Sequence, residues 1–213
     1  MNLNLIPKRE NGTPRSYEAQ ETEEENERLL DAQNLLAQAR LNHYHLSDLR
    51  DKNKPILCGA HATPENPRPG SLFDRIAQHA AITEHLIARG HIARAIDNDF
   101  ALAYAAASAA HIYKKQVAEQ KRMIELYPPK REITDLKKFI PEIAGEIESL
   151  RIKTEKMLQE DAEREFALRG TLKQFRVRLS LGEYDIVQAE KIRGALAMYD
   201  AALPDNTQKV GIV

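Results

Sequence analysis

Apolar residues recur at alternating spacings of three and four in two long segments of this sequence. The first set is Leu29, Ala32, Leu36, Ala39, His43 and Leu46, and the second is Ile143, Ile147, Leu150, Thr154 and Met157. Because an α-helix turns once every 3.6 residues, this spacing places each set on one face of a long helix and is typical of coiled-coil-like packing. The sequence therefore predicts long amphipathic helices that pack along their lengths.

Start and stop signals divide the chain into further helices. Ser71 and Asp74 have the spacing of a capping box, Gly90 is a stop signal, and Pro141 suits the first position of a helix. Gly170 is expected to end the helix that Pro141 begins. The predicted helices are residues 18–51, 71–89, 91–96, 99–126, 141–169 and 183–202. The last five form a predicted bundle domain, residues 71–203.

Three segments lack helical periodicity. Residues 52–70 contain four prolines and two glycines, which predicts a linker after the N-terminal helix. Residues 1–17 are predicted to form an extended N-terminal arm, and residues 204–213 a C-terminal tail. The fold class is therefore all-α, with five to six helices in a bundle, a Pro-rich linker and extended termini.

Residues 172–181 leave two alternatives open. Phe175, Val177, Leu179 and Leu181 alternate with polar residues, which is the period of a β-strand. A short hairpin and a helical continuation both fit this pattern.

Composition narrows the classes of function. The 213 residues carry a net charge of −1, so overall charge does not indicate nucleic-acid binding. A single cysteine, Cys58, excludes an intrachain disulfide framework and is typical of a reducing compartment. The first residues lack the apolar core of a cleavable signal peptide, and no apolar stretch is long enough to span a membrane. We expect a protein of the cytoplasm, or of a particle assembled there.

Motifs for metal binding and catalysis are weak in this sequence. Cys58 and His61 have a ligand-like spacing, but only His79 or His85 could complete the set. No glutamate is followed three residues later by histidine, as a di-iron bundle requires. The sequence also has no Gly-x-Ser-x-Gly, phosphate-binding loop or His-Glu-x-x-His motif. We therefore expect a protein that is not an enzyme and holds no metal or cofactor.

One local signal suggests DNA binding. The segment Ile-Ala-Gln-His-Ala-Ala-Ile-Thr-Glu-His-Leu-Ile, residues 76–87, resembles a DNA-binding helix-turn-helix, although Ala81 replaces the usual turn glycine. The resemblance covers about 20 residues and implies a recognition helix that carries Thr83, His85 and Arg89. One uninterrupted helix is the alternative.

Charged residues are segregated along the chain. Residues 18–31 hold seven acids against one base, whereas residues 114–131 and 169–178 are rich in lysine and arginine. The basic segments could bind acidic surfaces of other subunits, bind nucleic acid, or simply face solvent.

These features favour a structural or adaptor subunit that binds copies of itself and other protein subunits, such as a virion component or part of a secretion-type complex. A DNA-binding regulator or DNA-packaging protein that uses residues 71–91 is the alternative. The alanine-rich run 101–110 predicts a close-approach surface at Ala106 and Ala110. The other predicted partner-binding residues are Ile143, Ile147, Leu150 and Met157 on the second amphipathic helix, and Leu3, Leu5, Ile6, Lys8, Arg9 and Arg15 in the arm.

Overall fold

Six α-helices make up the part of the protein that the structure describes. A computed structural model describes residues 17–201, and the side chains of residues 23–201. The helices are α1 (Tyr17–Leu57), α2 (Leu72–Ala88), α3 (Ile92–Glu125), α4 (Lys130–Leu136), α5 (Pro141–Ser180) and α6 (Ile186–Asp200). No strand occurs within the described residues, so the predicted all-α class is confirmed.

Helix α3 lies at the centre and packs against α1, α2, α5 and α6. Helices α1 and α5 run side by side in the same direction, as ion pairs from Arg40 to Glu146 and from Arg50 to Glu160 show. Helix α3 runs opposite to both, because Gln116 and Gln120 meet Asp161 while Asp99 meets Arg178.

Two apolar clusters form the core. The larger one joins the alanine-rich part of α3 to α5, α6 and the end of α1, and includes Leu57, Tyr113, Leu172, Phe175 and Ile192. The smaller one joins α1, α4 and the start of α5 through Leu36, Ala39, Tyr127, Ile133, Ala144 and Ile147. Each fully buried leucine or isoleucine contributes roughly 1.5–3 kcal/mol to stability.

The predicted inner face of α1 is largely confirmed. Ala32, Leu36, Ala39 and Leu46 are buried and His43 is half-buried, whereas Leu29 is exposed because the bundle does not reach the start of the helix. The capping signal at Ser71 is also confirmed, since its Oγ accepts a hydrogen bond from the backbone N–H of Asp74 at 3.2 Å.

Helix α1 continues six residues beyond its predicted end at 51, so residues 52–57 do not belong to the linker. Pro55 lies in the last turn, where its missing N–H removes one intrahelical hydrogen bond but its fixed φ suits the helix. The turn is retained because Leu57 and Cys58 are buried against the larger cluster.

Helix α3 is a single helix, not the two predicted at residues 91–96 and 99–126. Asp97, Asn98 and Asp99 lie where the second of these helices was predicted to begin, and all three bind other helices. Asp97 accepts a hydrogen bond from Gln188, Asn98 binds His79 and Thr83, and Asp99 pairs with Arg178. Asp and Asn often cap helices, but here their side chains bind other helices instead.

Of the two alternatives for residues 172–181, the structure shows the helical continuation and not the hairpin, and the predicted helix end at Gly170 is wrong. Helix α5 continues to Ser180 and buries Leu172 and Phe175. The apolar residues of this segment do not share one face, since Leu172 and Phe175 are buried whereas Val177 and Leu181 are exposed to solvent.

We predict that Ala106→Leu destabilises the fold. Ala106 has no exposed surface in the larger cluster, so three extra carbon atoms should overpack it at a cost of about 1–3 kcal/mol. Urea unfolding followed by circular dichroism measures the change. The exposed Ala93→Leu, on the same helix, is the control. Equal stabilities for the two variants would contradict close packing at Ala106.

Candidate functional site

Seven polar side chains are buried in the described residues, of which Ser71 caps α2 and Asp99 pairs with Arg178. The other five are Asn42, Gln116, Gln120, Thr154 and Asp161. They come from α1, α3 and α5, the three longest helices. Because a buried polar group without a partner costs free energy, their hydrogen bonds constrain how these helices align. They define the polar layer of the protein.

Asp161 is the centre of the polar layer and has no exposed surface. Its Oδ2 accepts hydrogen bonds from Gln116 Nε2 at 2.9 Å and Gln120 Nε2 at 2.7 Å. Its Oδ1 lies 3.1 Å from Arg50 Nη2 and 3.3 Å from Arg164 Nη1. Both carboxylate oxygens are therefore satisfied, and one residue connects α1 and α3 to α5.

A second group of polar atoms lies nearer the smaller cluster. The Tyr127 hydroxyl is 3.2 Å from the carbonyl oxygen of Ala39 and 3.1 Å from Thr154 Oγ1. His43 Nδ1 is 3.3 Å from the same Thr154 oxygen. Burial raises the pKa of Tyr127, so its hydroxyl keeps its proton at neutral pH.

A cavity of about 410 Å³ borders Asp161 between the end of α1, α3, α5 and the loop after α1. Its lining includes Arg50, Lys54, Cys58, Tyr113 and Arg164. Burial raises the pKa of the Cys58 thiol and of the Tyr113 hydroxyl. Both groups are therefore neutral at pH 7, and Cys58 is a packed thiol rather than an activated nucleophile.

The structure gives no support to the weak zinc constellation. Cys58 is buried in the larger cluster, whereas His61 is exposed on the adjacent loop at a positive φ of 57°. No group of three or more His, Cys, Asp or Glu side chains in the described part of the chain is placed to hold a metal ion.

Of the two alternatives for residues 76–87, the structure shows the uninterrupted helix and not the helix-turn-helix. Residues 76–87 belong to the single helix α2, which passes through Ala81 without a turn. Thr83 accepts a hydrogen bond from Asn98 Nδ2 at 3.0 Å and so faces α3. His85 and Arg89 are exposed, but the structure provides no separate recognition helix to carry them.

The predicted partner-binding residues that the structure describes are largely used inside the chain. Ala106 and Ala110 are completely buried in the larger cluster, and Ile147 is completely buried in the smaller one. Ile143 and Leu150 pack at the edge of the smaller cluster, while Met157 is half-buried beside the cavity. The predicted residues of the arm, Leu3, Leu5, Ile6, Lys8, Arg9 and Arg15, lie outside the described residues.

Half of the ten basic residues in the two basic segments have internal partners: Lys114, Arg122, Arg169, Arg176 and Arg178. Lys114 Nζ donates to the carbonyl oxygens of Tyr199 and Ala201, where its charge stabilises the C-terminal end of α6. Arg176 pairs with Asp200, and Arg178 pairs with Asp99 at 2.7 Å. These side chains stabilise the fold, which weakens the case for a nucleic-acid surface there.

An apolar surface that the sequence analysis missed lies on the outside of α1. Leu30, Leu41 and Tyr44 are each more than half exposed. With Ala37 they recur at intervals of seven, four and three, on the side opposite the buried inner face. The same spacing rule that identified the inner face could have found this outer stripe, which consists of Leu30, Ala37, Leu41 and Tyr44.

No protein-family model, curated protein or solved structure matches this chain. Within the described residues, no helix combines the length and apolar character needed to cross a membrane. The case for a function therefore depends on the surfaces and charges described above.

We predict that Asp161→Asn lowers the free energy of unfolding by about 1.5–3 kcal/mol, because it removes the charge-assisted bonds to Arg50 and Arg164. Glu163→Gln is the matched control, since Glu163 is an exposed carboxylate half a turn away on the same helix. Urea unfolding compares the two. A control that loses as much stability as Asp161→Asn would show that burial of Asp161 is unimportant.

We also predict that stability falls as the pH falls from about 7 to about 5.5. Burial lowers the pKa of His43 and of His111 in the folded chain, and nearby lysines lower both further. The unfolded chain, with histidine pKa values near 6.5, binds protons first, so acidification favours unfolding. Urea unfolding across this pH range should show a weaker dependence for His43→Gln/His111→Gln. An unchanged slope would contradict the prediction.

Proposed function

We propose that this protein is a non-enzymatic structural or adaptor subunit of a larger protein assembly, of the kind found in virions or secretion-type complexes. The observation that carries the proposal is the exposed outer stripe of α1. A soluble helix normally keeps polar residues on the side that faces solvent, so a second apolar stripe indicates a partner.

The geometry of α1 supports this role. Its inner face is used by the bundle from Ala32 onwards, whereas every side chain from residue 23 to residue 31 is exposed. The start of this 41-residue helix therefore lacks the burial that stabilises the rest of it. A partner packed on the outer stripe would bury Leu30, Leu41 and Tyr44 in the way that helix-in-groove interfaces do.

The acidic residues at the start of α1 indicate the charge that a partner of the outer stripe should carry. Glu24, Glu25, Glu27 and Asp31 lie close to Leu30 in the sequence, and Arg28 is the one base among residues 23–31. A complementary segment must combine apolar residues with basic ones. Residues 1–17 have this composition, with Leu3, Leu5 and Ile6 beside Lys8, Arg9 and Arg15.

We take the occupant of the outer stripe to be the N-terminal arm of a neighbouring copy. Such a contact joins the arm of one subunit to α1 of the next, which is a head-to-tail arrangement that forms rings or filaments. Because the contact joins separate chains, assembly should depend on protein concentration.

The cavity beside Asp161 supports an enzymatic function less well. Its thiol and phenol are protonated at neutral pH, and the charges of Arg50 and Arg164 are already engaged by Asp161 and Glu160. We therefore offer no reaction for it.

Deleting residues 2–15 tests the proposal. We expect helix content by circular dichroism to remain nearly unchanged, and the weight-average mass by sedimentation to fall at equal concentration and salt. Tyr44→Asp in the full chain should have the same effect, because it places a charge in the outer stripe. Ile152→Asp, at an exposed apolar residue of α5, is the matched control.

Two results would overturn the proposal. One is a truncated chain that assembles as well as the intact chain. The other is a loss of mass for Ile152→Asp equal to that for Tyr44→Asp, because the effect would then not depend on α1.

A further inference from the structure

Two helix connections meet at one end of the molecule. The first, between α2 and α3, comprises residues 89–91, and the second, between α5 and α6, comprises residues 181–185. Contacts near the start of α3 hold the second connection beside the first: Asp99 pairs with Arg178 at 2.7 Å and accepts a hydrogen bond from Tyr184 at 3.1 Å. Gln188 of α6 also donates to Asp97. We refer to residues 85–96 and 181–190 together as the bundle end.

The bundle end exposes five large apolar side chains. Each is more than half exposed, and they are Ile87, Ile92, Leu181, Ile186 and Val187. Scattered apolar residues are normal on a protein surface, but a group at one end is typical of an interaction site. Both connections contribute, so the group does not belong to a single helix.

The two halves of the bundle end carry opposite charge. Residues 85–96 include the exposed Arg89, His91 and Arg94 and contain no acid. Residues 181–190 include the exposed Glu183, Asp185 and Glu190 and contain no lysine or arginine. Glu183 binds Arg178 and Asp185 caps α6, yet both remain open to solvent.

This distribution of charge is favourable for a two-fold interface. In an isologous contact, the same surface of both copies takes part, and one half of it contacts the other half in the second copy. A surface with one basic and one acidic half is therefore complementary to itself. Two copies would place residues 85–96 of one against residues 181–190 of the other, and the apolar side chains would be buried between them. A surface of a single charge sign would repel its own copy.

We propose that a second copy of this chain docks on the bundle end through a two-fold axis. The inference rests on the proposed function only in taking copies of the chain as partners, since the bundle end and the outer stripe of α1 are different surfaces. A subunit with both contacts would assemble as dimers that its arms connect into larger arrays.

Charge exchange in the full chain tests the contact. Arg89→Glu/Arg94→Glu makes the bundle end wholly acidic, and Glu183→Lys/Glu190→Lys makes it predominantly basic. For each variant alone, we expect the dissociation constant of the bundle-end contact to be about tenfold or more higher. We expect an equimolar mixture of the two variants to recover the mass of the original chain. Light scattering after size exclusion measures the mass of all samples at equal concentration and salt.

The mixture separates this contact from the arm contact, because residues 1–17 are identical in every sample. Glu183→Lys also breaks the bond to Arg178, so Ile186→Asp tests the same surface without altering that ion pair, with Ile152→Asp as its control. Ile186→Asp should lower the mass and Ile152→Asp should not.

Recovery of mass in the mixture, together with the effect of Ile186→Asp, would support the two-fold contact. A mixture no heavier than its components, or an Ile186→Asp variant with unchanged mass, would overturn it. A loss of mass on deleting residues 2–15 tests the arm contact only, so it neither supports nor contradicts the two-fold contact.

Discussion

The small side chains of α3 are the constraint on which the other helices depend. Seven of the ten residues from 101 to 110 are alanine, and five of these seven have no exposed surface. Because alanine adds little bulk beyond the backbone, α3 can pack against α1, α2, α5 and α6 together. The larger residues of the neighbours, such as Leu172 and Ile192, then fill the space around it.

Alanine packing is not directional, so polar contacts must determine how the helices align along their axes. Asp161 has this role for α5, because Gln116 and Gln120 stand one helical turn apart on α3 and both reach the same oxygen. A shift of α3 by one turn would leave one of the amides unpaired inside the protein, which is costly. Arg50 extends the alignment to α1, which has no connection to α5 close in sequence.

Local spacing predicted the helices well and their ends less well. The inner face of α1, the cap at Ser71 and the start of α5 at Pro141 depend on residues close in sequence, so they could be predicted from it. The continuation of α1 through Pro55, of α3 through Asp97 and of α5 through Gly170 depends on burial and on distant partners. The polar layer was not predicted, because nothing in the sequence near Asp161 indicates that Gln116 and Gln120 lie beside it.

Ion pairs and hydrogen bonds within the chain change how the distribution of charge along the sequence is interpreted. In the linear sequence the basic segments look like surfaces that await an acidic partner, but Lys114, Arg176 and Arg178 bind groups of their own chain. Lys115, Lys121 and Lys173 remain exposed, as do the acidic start of α1 and the bundle end with its two opposite halves. In the proposed assembly, the acidic start of α1 would bind a different segment and the bundle end its own copy. One chain would then carry both head-to-tail and two-fold contacts, from which extended assemblies are built. Since both proposed contacts combine apolar side chains with opposite charges, assembly of this kind would be sensitive to salt.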